Sequence, residues 1–163
     1  MQQKETANLR DLTDVSGVPA NGRVVALDPG TKRVGVAICD ELRVAARPLC
    51  VIQRSSWKKL LLQVRDILGE YDAVALVVGL PYNFDGGESE MTAEAREMAR
   101  KFSLSLDVPV YLQDERATTY EARGRLWRAG VEGKDMQRVL DSEAAAIILS
   151  DFLSRTSDEN HPE

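Results

Sequence analysis

From Arg23 onward the chain reads as short apolar runs separated by turn residues. "RVVALD" has the β-branched pattern of a strand, "PGTK" that of a turn, and "RVGVAICD" that of a second strand. "RVAARPLCVI" reads as a third strand, with Pro48 marking an edge or a bulge. The short links predict an antiparallel meander. The period then changes. In "SSWKKLLLQVRDILGEY" the apolar positions Trp57, Leu60, Leu61, Val64 and Leu68 fall at helical spacing, with Ser55 or Ser56 as N-cap and Gly69 as the stop. "AVALVVGLP" is a continuous apolar run of strand length, as expected of a strand covered on both faces. "SEMTAEAREMARKF" places Met91, Ala95, Met98 and Phe102 on one helical face, and "VPVYLQDE" is a further strand. "TTYEARGRLWRAG" opens on Thr118 and Glu121 as a capping box and closes on Gly130. "DSEAAAIILSDFL" predicts a last helix.

The predicted order, β-β-β-α-β-α-β-α-α, has no internal repeat and no interdomain linker. Antiparallel strands feeding right-handed β-α-β crossovers give one mixed sheet with helices on both faces. The first strand then lies centrally, and Asp28 ends it at the carboxyl edge, where open α/β sheets place their sites. Residues 1–22 and 155–163 are polar, without sustained apolar period, and are expected to be flexible tails around a domain spanning 23–154.

Composition narrows the possible chemistry. The chain has 163 residues and a single histidine, His161, in the C-terminal tail. A serine or cysteine triad would lack its base, and a histidine-ligated zinc site its ligands. Neither a G-x-x-x-x-G-K-[ST] phosphate loop nor a G-x-G-x-x-G after a strand is present. Cys39 and Cys50 make neither a disulfide framework nor a zinc site, and are expected to be small strand or core residues in a reducing cytoplasm. The polar N-terminus has no signal-peptide apolar region, and no run approaches a membrane span, so a cytoplasmic location is expected. The net charge is −5 from 21 basic and 26 acidic side chains. Removing the tails, with two basic and three acidic residues in 1–22 and one and three in 155–163, leaves 18 against 20. Local clusters therefore say more about partners than the global charge does.

Three places in the chain put acids where elements begin or end. Asp28 closes the first strand, Asp114 and Glu115 follow the apolar "YLQ", and Asp141 stands where the last helix is expected to open. Each alone reads as a turn or cap residue. Together, at elements that the topology brings to one sheet edge, they read better as a site. Converging carboxylates repel one another, and a hard divalent cation such as Mg²⁺ or Mn²⁺ keeps them ionised together. A pair of such ions about 3.5–4 Å apart activates water and stabilises the leaving oxygen in phosphodiester cleavage.

"ALDPGTKRVGVA", "VVGLPYNFDGGES", "QDERATTYEA" and "LDSEAAAIIL", in that order across roughly residues 23–153, resemble the YqgF/RuvX family. The resemblance implies an α/β fold, an RNase H-like mixed five-stranded sheet flanked by helices. It also implies a nuclease like the Holliday-junction resolvases, associated with maturation of pre-16S rRNA ends. Asp28, Glu115 and Asp141 are implied as the metal-binding, catalytic acids, with Asp114 as the alternative to Glu115. Related resolvases carry one acid on the strand after the first helix. Here that strand reads "VVGLP" and has none, so its role falls to the "DE" of the next strand. Strands lie about 4.8 Å apart, so this acid must reach in from further off. Alternation puts Asp114 and Glu115 on opposite faces, so only one points into the site.

The expected substrate surface is built around that edge. Lys32 and Arg33 follow the Asp28 turn and can reach phosphates. In "LPYNFDGGE", Gly86 and Gly87 allow close backbone approach, Tyr82 and Phe84 offer stacking faces, and Asn83 adds a polar contact. Arg116 leads a stretch, 116–138, with six basic and three acidic residues. The resulting expectation is a metal-dependent endonuclease on structured RNA, using two Mg²⁺ or Mn²⁺ ions, as monomer or homodimer. Branched DNA is the alternative substrate, and a non-catalytic nucleic-acid-binding module the alternative class. The "LDPGT" loop is similar to that of actin-like ATPases, but a single lobe lacks the second wall that closes around ATP.

Overall fold

The computed structural model describes residues 14–82, 85–115 and 134–159, the side chains of 134–138 and 158–159 excepted. The three-strand meander forms as the pattern predicts: β1 is Val24–Pro29, β2 Arg33–Cys39 and β3 Ala46–Gln53. Helix α1 (Trp57–Glu70), β4 (Ala75–Leu80), α2 (Glu90–Ser105), β5 (Val110–Asp114) and α3 (Lys134–Glu159) follow. The strands make one five-stranded sheet in the order β3-β2-β1-β4-β5. β1 pairs antiparallel with β2 and parallel with β4, so it is the central strand on which the sheet changes sense. β3 is an edge strand whose ladder to β2 slips between Val36 and Ala37, opposite the Pro48 region. The predicted helix over 118–130 lies outside the described residues.

Alternation along β1 builds two cores. Val25 and Leu27 face α1 and α2, where they meet Leu60, Val64, Met98 and Phe102. Val24 and Ala26 face α3, where they meet Ala145, Ile148, Leu149 and Phe152. Asp28 continues the second series and so falls on the α3 face.

Capping sets the helix entries. Ser56 caps α1, its hydroxyl accepting from Lys59 N at 3.2 Å. Ser89 and Thr92 form a reciprocal capping box at α2, and the Thr92 hydroxyl also donates to Pro81 O, which ties the helix entry to the end of β4. Helix α1 passes through Gly69 to Glu70 rather than stopping there, and the chain turns at Asp72 with φ of 50°. A Cβ on Gly69 would meet nothing within 4 Å. Gly69→Ala should therefore stabilise the protein by about 0.5–1 kcal/mol, read as a raised melting temperature.

Two boundaries differ from the expected ones. α3 starts at Lys134, so Asp141 stands two turns inside the helix and not at its opening. The apolar run marks only the part of the helix that packs on the sheet, while a polar helical lead-in carries no such signal. Among the described residues, some in each expected tail pack on the sheet. Val15 is 5% exposed, Tyr111 Oη donates to Ser16 O at 2.9 Å, and α3 continues to Glu159. There Thr156 is buried, and Arg155 Nη1 donates to Gln113 Oε1 at 2.6 Å. Cys39 is buried and its sulfur accepts from Val24 N at 3.2 Å, while Cys50 is half-buried, and both are free thiols. No described helix is long and apolar enough to cross a membrane.

Candidate active site

The carboxyl edge of the sheet receives its acids from three elements. Asp28 stands one residue before the end of β1, opposite Gly35 of β2. In the β4–β5 ladder Gly79 pairs with Gln113 and Leu80 with Asp114, and Glu115 N extends it by donating to Leu80 O at 3.1 Å. Paired residues share a face, so Asp114 follows Leu80 and Leu112 to the α1–α2 side, while Glu115 follows Gln113 to the α3 side. Glu115, not Asp114, is thus the acid that joins Asp28.

β5 is two strands from β1, and Glu115 must cross β4 to reach Asp28. Gly79 opens that path. A Cβ there would lie 3.1 Å from Glu115 Oε2, 3.3 Å from its Cδ and 2.6 Å from Ile148 Cδ1. Gly35 performs the matching task for Asp141. A Cβ on Gly35 would sit 1.9 Å from the Asp141 carbonyl oxygen, so the α3 backbone rests directly on β2 at that residue. Neither glycine stood out in the sequence as a site residue. A lone glycine inside a β-branched strand, as in "RVGVAI" and "VVGLP", is the signal of close approach that identifies both.

Burial and mutual charge set Asp28 and Glu115 apart from ordinary surface acids. Burial raises the Asp28 pKa, a hydrogen bond with Glu115 lowers it in part, and the charge of Asp141 raises it again. Glu115 is 7% exposed. Its pKa lies well above the usual 4.5, first through burial, then through the charge of Asp28, the hydrogen bond to it, and the charge of Asp114. A hydrogen bond between two carboxyl groups requires a proton, so the pair shares one. Glu115 Oε2 is buried without a hydrogen-bond partner among the described residues. Asp141 is engaged differently, accepting a hydrogen bond from Arg33 Nε at 2.7 Å.

An all-oxygen, acidic donor set with an unpartnered buried carboxylate oxygen fits a hard divalent cation. No three-residue cluster of His, Cys, Asp or Glu close enough to hold an ion is preformed among the described residues.

The surrounding residues take varied places. Lys32 is exposed in the β1–β2 turn. That turn is pinned by Gly30 N to Arg33 O at 2.8 Å, by Arg54 N to Lys32 O at 2.9 Å and by Arg54 Nη1 to Gly30 O at 2.7 Å. Arg54 also pairs with Glu94 at 2.8 Å, which ties the turn to α2, a role that sequence reading did not assign. Tyr82 is partly buried against the α1–α2 core, and its hydroxyl accepts from Arg96 Nη2 at 3.0 Å. That bond ties the loop to α2. Gly86 has φ of 88°, and Gly87 N donates to Asp85 Oδ1 at 2.8 Å. Asn83, Phe84 and Arg116 lie outside the described residues.

Solved structures share this architecture. The yeast mitochondrial Holliday junction resolvase aligns with a TM-score of 0.55 at 13% identity, covering 93% of this chain and 85% of that one. Thermus thermophilus RuvC, in complex with Holliday junction substrate, aligns with a TM-score of 0.50 at 19% identity, covering 83% and 96%. At such identities the likeness is one of fold, the RNase H-like fold. Sequence relatives lie nearer. A Pseudomonas fluorescens (strain Pf0-1) protein is 39% identical over 138 residues, 84% of this chain and 92% of its own length. A Syntrophus aciditrophicus protein is 36% identical over 140 residues, 86% and 93% respectively. Both carry the name "Putative pre-16S rRNA nuclease". The family model described as "RuvX: Holliday junction resolvase" matches residues 22–155, a span that holds the whole carboxylate edge. With its sheet, its four motifs and its nearer relatives in agreement, this chain belongs to the RuvX family of nucleases.

Proposed function

We propose that this protein is a metal-dependent endonuclease that hydrolyses phosphodiester bonds of structured RNA, in the maturation of pre-16S rRNA ends in the cytoplasm. The observation that carries this reading is the convergence of Asp28 and Glu115 beside Asp141, with Glu115 Oε2 left without a partner. The names of the relatives at 36–39% identity support RNA as the substrate. Asp28, Glu115 and Asp141 would hold Mg²⁺ or Mn²⁺. Such ions, when bound, supply Lewis acidity and activation of water. The chain's own residues hold and orient the rest. Asp28 and Glu115 hold a shared proton between them, and the pinned turn at Gly30–Lys32 presents Lys32 and Arg33 to the phosphate backbone. The Gly86–Gly87 loop borders the same edge, with Tyr82 as its anchor. Asn83 and Arg116 extend the substrate surface on sequence grounds.

Branched DNA is the second reading, favoured by the resolvase description of the family. End-labelled RNA carrying 16S precursor ends and four-way DNA junctions, each with Mg²⁺, Mn²⁺ or EDTA, separate the two. The expected outcome is metal-dependent cutting of RNA that disappears in Asp28→Asn while its circular dichroism is unchanged. Cutting of junctions alone would reassign the substrate. Tight binding of both without cutting would identify a non-catalytic binding module.

A further inference from the structure

Arg33 brings a permanent positive charge into the acidic cluster, 2.7 Å from Asp141 Oδ2. It lies two residues before Gly35 on β2, and Gly35 is paired with Asp28. Strand alternation therefore sends its guanidinium to the same face and edge as the carboxylates. We propose that Arg33 is a placeholder cation. It holds Asp141 until a divalent ion binds, then yields that carboxylate and turns to a phosphate of the substrate. This inference rests on the metal-dependent reading above.

Three features argue for exchange over a fixed structural pair. First, the two side chains are 31% and 20% exposed, so water reaches the bond and the ions can part without leaving a dry, uncompensated charge. Second, a guanidinium does not lose its proton in proteins. When a divalent charge arrives beside it, repulsion can be relieved only by moving the group. Third, the backbone beneath it is fixed. The Gly30–Arg33 hydrogen bond and the Arg54 contacts hold the turn, so motion falls to the long Arg33 side chain. The planar fork that suits a carboxylate suits a phosphate equally well. Released from Asp141, it faces the place where the substrate backbone would meet the acids. Metal loading and substrate capture would thus be coupled through one side chain, with Arg33 a positioning residue before loading and a phosphate contact after it.

The first test follows the Arg33 Nε–Hε resonance of the ¹⁵N-labelled full-length protein, assigned by its loss in Arg33→Lys, during a Mg²⁺ titration without nucleic acid. The expected result is a slowly exchanging, hydrogen-bonded signal that moves to a solvent-exposed position as Mg²⁺ saturates. The second test is calorimetric. Arg33→Gln should bind Mn²⁺ about two- to fivefold more tightly than wild type, the range expected when a partly exposed ion pair stops competing. That gain should vanish in an Asp141→Asn background. The third uses Ca²⁺ in place of Mg²⁺: Arg33→Gln should weaken RNA binding by roughly threefold or more in Ca²⁺ and by less in EDTA, where wild-type Arg33 is still held by Asp141. Binding of Mg²⁺ with the Arg33 signal unmoved, or equal Mn²⁺ affinity in Arg33→Gln, overturns the placeholder role alone. Absence of divalent-ion binding to wild type overturns this inference together with the metal-dependent reading. Should Arg33→Gln fail to fold, the resonance of the wild-type protein still decides the matter.

Discussion

Gly35→Ala should lower the melting temperature by about 6–12 °C and remove divalent-ion binding, although alanine adds a single methyl group. The expected loss is about 3 kcal/mol, the upper part of the usual overpacking range, converted for a domain of this size. The reason is what the methyl would meet. Its carbon would lie 1.9 Å from the Asp141 carbonyl oxygen and 2.5 Å from the carbonyl carbon, with Ser142 N at 3.1 Å. All are backbone atoms of α3, so no rotamer change relieves the clash. The helix must lift from β2, and Asp141 is carried away from Asp28. Gly79→Ala is the informative contrast. Its worst contact, at 2.6 Å, is the end of the flexible Ile148 side chain, which can move. The next contacts, however, are Glu115 Oε2 and Cδ. That variant should keep most of its stability and still lose the Asp28–Glu115 contact. Thermal melts and Mn²⁺ calorimetry on both variants check this. A Gly35→Ala protein that melts and binds like wild type would mean that α3 does not rest on β2 at Asp141.

The metal-free protein should lose stability as pH rises above the ordinary carboxylate range, and Glu115→Gln should abolish most of that loss. Asp28 and Glu115 both have folded pKa values above their unfolded ones, Glu115 strongly so. In the window between the two values the folded state binds more protons than the unfolded state. Stability is therefore fully present below about 4.5, the ordinary Glu value, and declines as pH climbs towards the raised folded value. For one proton the slope is at most about 1.4 kcal/mol per pH unit. Glutamine keeps the shape and a hydrogen-bond donor and carries no charge to bury, so its denaturation midpoint in EDTA should be nearly flat over that window. Mg²⁺ should flatten the wild-type curve as well, because an ion that binds the deprotonated carboxylates stabilises the folded state increasingly as pH rises. Urea denaturation from pH 5 to pH 9, with EDTA and with Mg²⁺, measures all three curves. A wild-type slope that persists in Glu115→Gln would place the titrating group elsewhere.

Much of this arrangement can be read from residue order. The β-branched runs, the change to helical period at Trp57 and the two-faced apolar run before Pro81 carry the sheet and its helices, because burial imposes those periods on any sequence that folds this way. Asp28 was visible as the polar end of a central strand. Helix ends were less legible. Gly69 lies within α1 and Asp141 within α3, since a helix continues as long as its backbone is satisfied, whatever side chains mark its apolar stripe. The packing of Val15, Ser16 and Thr156 was hidden for a related reason: single anchoring contacts have no period.

What the order of residues determined alone was the mixed sheet with its first strand at the centre and the edge at which acids gather, because these follow from alternation and crossover handedness. What only the tertiary structure decided was which acid meets which. Asp114 and Glu115 are adjacent in the chain, and ladder register sends them to opposite faces. Gly35 and Gly79 look like weak points of their strands until α3 and Glu115 are seen to pass over them. Arg33 and Asp141 are 108 positions apart, and no local pattern predicts that they touch. Contacts of that kind depend on distances across the sheet, which are set by packing and not by spacing along the chain.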